Sequence, residues 1–113
     1  MNLEEPISRA KWLSEKTIVA ATTCGNVIVL QMERDAQNVE CLSRPRTVYS
    51  TMHGVAIWDL VALSSGQMLE VWLAEDSGTV TQLRLDSATL NVTQSSPVHV
   101  SHLHFSLIFG VFV

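Results

Sequence analysis

The sequence predicts an all-β fold made of repeated, antiparallel, four-stranded sheets. Short β-branched runs alternate with turn residues along most of the chain, and two hairpins of one construction recur 53 residues apart, Gly25 against Gly78. No segment sustains a helical period. Hydrophobic residues make up 47% of the 113 positions and charged residues 16%, enough to build a modest core and too apolar for a disordered chain.

The elements follow in order. ISRAKWLSE, Ile7 to Glu15, reads as an inner strand with Trp12 near its end. TIVAATT (Thr17 to Thr23) and VIVLQM (Val27 to Met32) read as second and third strands, joined by a tight turn at Cys24-Gly25-Asn26, where glycine supplies a positive φ. Val39 to Leu42 is the expected outer strand, and Arg44-Pro45-Arg46 the expected connection to the next repeat.

The pattern then starts again. IWDLVALSS (Ile57 to Ser65) is the second inner strand, MLEVWLA (Met68 to Ala74) and TVTQLRL (Thr79 to Leu85) flank a turn at Glu75 to Gly78, and Leu90 to Thr93 is the outer strand. A third copy is expected to open at VHVSHLHFS, Val98 to Ser106, in a register that matches Trp12, Leu63 and Phe105. The expected division is therefore a repeat at 7–43, a second at 54–94, the opening strand of a third at 98–106, and an apolar tail at 107–113. Periods of about 40–45 residues with four strands each mark propeller blades.

The dipeptide Trp58-Asp59 has two placements. Closing a third strand, it would leave nine residues before Leu69 for an outer strand, a connection and an inner strand. Two strands of about five to six residues plus turns do not fit there. On the inner strand every later element falls into step, so Trp58 is expected there, with His53 in the loop that enters the repeat.

With these features the sequence resembles WD-repeat β-propeller proteins over roughly Ile7 to Ser106. It is similar in particular to the methylosome type, through Trp12, Glu15, Ile18, Ala21, Gly25, Val27 and the corner Leu63-Ser64-Ser65-Gly66. The closing positions hold Leu30-Gln31 and Leu83-Arg84 in place of Trp-Asp. The resemblance implies a non-enzymatic scaffold for protein partners in a larger complex, such as an adaptor of a symmetric-dimethylating arginine methyltransferase or a subunit of a pore or trafficking complex. It implies structural roles for Trp12, Gly25, His53, Trp58 and Gly78. Of the family's hydrogen-bonded set, His53 supplies the histidine, Asp76 stands one residue early and Leu83 replaces the tryptophan, so rigidity is expected to rest on apolar packing. The alternative is a self-contained β-sandwich-like binding domain completed by LIFGVFV.

The chemistry-bearing residues point away from catalysis. A net charge of −4 and seven scattered Lys/Arg argue against a nucleic-acid surface. His99, His102 and His104 include two residues on one strand face and no neighbouring thiol or carboxylate, a poor zinc set. Cys24 has no cation beside it in sequence to lower its pKa, and with Cys41 it is too little for a disulfide framework. No nucleophile elbow and no phosphate-binding glycine loop is present, so no catalytic, cofactor or metal residue is expected. No apolar run reaches the ~20 residues of a membrane helix. With an acidic start and no leader, the expected location is cytoplasmic, nuclear or both. Arg44 and Arg46, stiffened by Pro45, together with Glu75 and Asp76, are the expected partner-contact residues, on loops of one rim with Thr23 to Asn26.

Overall fold

The computed structural model describes residues 5–65 and 68–99. Among them are nine strands and one short 3-10 turn, Met52–Gly54. The first sheet holds β1 (Ile7–Ser14), β2 (Thr17–Thr22), β3 (Asn26–Arg34), β4 (Glu40–Leu42) and β5 (Arg46–Ser50); the second holds β6 (Ile57–Ser65), β7 (Met68–Glu75), β8 (Thr79–Asp86) and β9 (Val92–His99). All pairings are antiparallel.

The hairpins at Gly25 and Gly78 form where the sequence places them. Both glycines have positive φ, +87° and +85°, and both turns are closed by a backbone bond, Gly25 N–H to Thr22 O and Gly78 N–H to Glu75 O. Gly25 carries a second demand. A Cβ there would lie 2.1 Å from Thr51 Oγ1 and 2.6 Å from the Val55 carbonyl oxygen.

The outer strands depart from expectation. In the first sheet the outer position does not end at Leu42. β4 pairs with the far end of β3 (Met32↔Leu42), and after a break at Ser43 to Pro45, β5 resumes along the same edge (Asn26↔Ser50). Arg44-Pro45-Arg46 is thus a kink within an outer strand, not a connection between sheets, and the first sheet extends past residue 43 to Ser50. In the second sheet Leu90 and Asn91 belong to a turn and the outer strand runs on to His99. Val98 and His99 therefore pair with Val80 and Thr79 rather than opening a third repeat; the remainder of that expected copy, and the tail, lie outside the described residues.

Asp86 makes that turn. Its carboxylate accepts the backbone N–H groups of Ala88 (2.8 Å) and Thr89 (2.9 Å), while Leu90 sits buried at φ +61°. Those two N–H groups, Thr89 first, hold the Asp86 carboxyl below the ordinary aspartate value. A depressed pKa means stabilisation that is present above the ordinary value and lost as pH falls through the folded value. A carboxyl-carbon NMR titration is expected to place the Asp86 midpoint below that of a model aspartate, and Asp86→Ala is expected to flatten the acid limb of stability over that window.

Register shows that the sheets are copies of one plan. With Gly25 laid on Gly78, Val19 falls on Trp72, Ala21 on Ala74 and Val27 on Val80. Through the cross-strand pairs, Trp12 (opposite Ile18) falls on Ala62 (opposite Val71), one position from the expected match with Leu63. From Arg9 to Trp12 the match with Asp59 to Ala62 is constant, Ser14 falls on Leu63, and between Trp12 and Ser14 a bulge slips one residue into β1. That residue is Leu13, which is buried, while Trp12 is 60% exposed.

The two sheets share one main core. Leu13, Val19, Ala21, Val27 and Val29 from the first meet Leu60, Val71, Leu73, Leu83 and Leu85 from the second. Because side chains alternate across a strand, each sheet also has a second apolar set on its other face. These are Ile18, Ala20, Ile28 and Leu30 on the first sheet, and Val61, Trp72, Ala74 and Val80 on the second. The faces in contact are not equivalent ones: Val19 and Ala21 point at the second sheet, whereas their equivalents Trp72 and Ala74 point away from the first. The sheets stack head to tail.

Candidate partner surface

The first strands of the two sheets, β1 and β6, carry bulges at the same place, Ser8 in one and Trp58 in the other. A bulge leaves one residue unpaired and re-aims its side chain. Ser8 uses this freedom to donate its hydroxyl to the Ile57 carbonyl across the sheet junction, and the Arg9 guanidinium lies 3.2 Å from Asp59. Trp58 is 53% exposed, and its Nε1–H donates to Asp76 Oδ1 at 2.7 Å. Trp58 lies on β6, the strand where its spacing places it, and the bulge turns the indole outward rather than into the core. Trp58→Phe is expected to reduce stability by only about 0.5–1 kcal/mol, the value of one exposed hydrogen bond, and to be non-additive with Asp76→Ala in a denaturant double-mutant cycle.

The four expected partner-contact residues do not form one surface. Glu75 is buried: the Thr81 hydroxyl donates to its carboxylate, and the Tyr49 phenol of β5 lies beside both. Burial first, then the Glu75 charge, raises the Tyr49 pKa above its ordinary value, while Thr81 opposes. Glu75 is thus part of a polar knot between the sheets rather than a contact for a partner. Asp76 is exposed and engaged with Trp58.

Arg44 and Arg46 lie toward the other end of the molecule. Both are exposed and line a groove of about 340 Å³ with Gln31, Glu33, Ser43 and Thr89. Arg46 is not free, since its guanidinium donates to the Thr89 carbonyl of the β8–β9 turn and so ties the kink of one sheet to the second. Of the three loops expected at one rim, the Gly25 and Gly78 turns do share an end. Both meet the connecting segment 51–56, through Thr51 N–H to Gly25 O and Asp76 N–H to Ala56 O. The Arg44 kink is not there.

A second groove, about 440 Å³, opens beside Trp12 and is lined by Glu15, Lys16, Met32, Arg34 and Glu40, the last two forming a 3.3 Å ion pair. Nothing in the apolar pattern announces this groove: the one-residue slip that sets buried Leu13 beside exposed Trp12 leaves no mark there.

The remaining candidates are dispersed. His53 is exposed in the 3-10 turn at φ +59°, with no side-chain hydrogen bond among the described residues. Cys24 and Cys41 are free thiols on the surface. His99 lies opposite Thr79, and His102 and His104 lie outside the described residues. Among the described residues no three His, Cys, Asp or Glu side chains converge as a metal site, and no helix is long and apolar enough to cross a membrane. Comparison with protein-family models, with curated proteins and with solved structures finds no match to this chain.

Proposed function

We propose that this chain is a non-enzymatic scaffold built from WD-repeat-like propeller blades, holding protein partners in a larger complex. What supports the reading is the head-to-tail stack: two antiparallel meanders of one plan, the first with its outer strand split into β4 and β5, joined through inequivalent faces with their bulged first strands side by side. Radial repetition of such sheets is how a propeller is assembled. A methylosome-type role, as adaptor of a symmetric-dimethylating arginine methyltransferase, is the narrower form. The accessible grooves at Trp12 and at Arg44 offer surface for it.

The test is co-elution of the purified chain with that methyltransferase on a sizing column. A stable complex supports the narrower role. Its absence, together with stoichiometric recovery of pore or trafficking subunits from cell extract, would sink the methylosome form and leave the scaffold. A β-sandwich-like binding domain is the second reading, favoured by the single core the two sheets share. It treats the two outer faces as finished surfaces, which the propeller reading does not.

A further inference from the structure

The internal junction is a template for a second one. On its outward face the second sheet repeats what the first sheet presents inward, with Trp72, Ala74 and Val80 in the places of Val19, Ala21 and Val27. On its outward face the first sheet repeats what the second presents inward, with Ile18, Ala20 and Leu30 in the places of Val71, Leu73 and Leu83. Large apolar side chains remain accessible around both sets: Trp12 and Leu42 (42%) on the first, Leu63 (52%) and Val98 (54%) on the second.

The charges continue the pattern. Arg9 and Asp59 occupy equivalent positions on β1 and β6 and already form a pair across the junction. A further sheet stacked by the same operation sets Asp59 of one copy against Arg9 of the next. Each stays partly accessible, 56% for the arginine side chain and 24% for the aspartate, so the signs alternate along the stack.

We propose that a second copy of this chain docks head to tail on the first. The outer face of the second sheet seats on the outer face of the first sheet of the next copy. Such a heterologous contact either closes into a ring or runs on. At the usual four to eight blades, closure takes roughly two to four copies. This goes beyond the scaffold role and depends on the stacking geometry, not on the identity of any other partner.

Light scattering coupled to size exclusion tests it with the whole chain. Wild type is expected to rise with concentration from 12.5 kDa to a multiple of two to four. Trp12→Lys blocks one face and Leu63→Lys the other, and each variant alone is expected to stay at monomer mass. Mixed together they keep one intact pair of faces and are expected to form a one-to-one dimer that grows no further. Leu42→Lys and Val98→Lys are a second pair of face variants, and thermal unfolding by circular dichroism confirms that each is folded. A wild type that stays monomeric at every concentration, single variants that assemble like wild type, or a mixture that remains monomeric would each overturn the proposal. A monomeric chain that still co-elutes with the methyltransferase would overturn self-stacking alone and leave the scaffold role standing.

Discussion

Gly25→Ala is expected to be among the most damaging single-methyl additions in this chain, lowering stability by more than about 3 kcal/mol and shifting the urea midpoint accordingly. Two effects combine. The residue sits at φ +87°, where an L side chain costs roughly 1–2 kcal/mol. The added Cβ would also meet Thr51 Oγ1 at 2.1 Å and the Val55 carbonyl at 2.6 Å, far inside van der Waals distance. Neither neighbour moves freely, because the Thr51 hydroxyl donates to that same carbonyl at 2.7 Å and the Thr51 N–H to the Gly25 carbonyl at 2.8 Å. Gly78→Ala is the control. It has nearly the same φ, +85°, and is expected to cost only that conformational penalty, roughly 1–2 kcal/mol. Combining Gly25→Ala with Thr51→Ala should recover only part of the loss, since the Val55 carbonyl remains. Equal effects at the two glycines would show that backbone conformation alone, not the packing of segment 51–56 on the turn, accounts for the requirement.

Leu83→Ala is expected to cost about 3 kcal/mol, within the range of roughly 2–5 kcal/mol measured for buried leucines. Leu83 has no solvent exposure and stands in the core between the sheets, with Leu60, Leu73 and Leu85. The resemblance noted in the sequence would put a tryptophan at this position. Leu83→Trp is therefore a more telling variant. If the position had room for an indole, stability would rise; the filled core predicts a loss of about 1–3 kcal/mol from overpacking. Equilibrium unfolding in urea reads both, and an unchanged slope would show that the loss lies in the folded packing.

What was legible in the sequence was whatever leaves a side-chain pattern. Alternation in TIVAAT and in TVTQLRL, with a glycine between strands, located β2, β3, β7 and β8 to within a residue or two. The outer strands were misplaced because backbone bonding to an existing edge, not burial, makes them. β9 reads VTQSSPVH and is largely exposed, so it carries no periodic signal. Leu90 looked like a strand residue because it is apolar. Its burial is real, but the Asp86 turn holds it at positive φ, outside any strand. Bulges were the other blind spot. Trp58, Trp12 and Leu13 each change face through one inserted residue, which shifts a register without changing composition.

The candidate surface was less legible for the same reason. Glu75 and Asp76 are neighbours in sequence and opposites in place, one sealed against Tyr49 and Thr81, the other in solvent. Turn sequences announce that a chain reverses; they do not announce which of two adjacent carboxylates faces the protein.

The break at Ser43 to Pro45 has a consequence for strand addition at this edge. A long uninterrupted edge offers a foreign strand a full row of N–H and C=O groups to pair with. Here that row is cut into β4, three residues, and β5, five residues, and Pro45 between them has no N–H to give. An incoming peptide therefore finds too short a rail for amyloid-like addition on this side of the sheet. On that edge strand addition is disfavoured, and contact through the sheet faces is left as the more open direction of assembly.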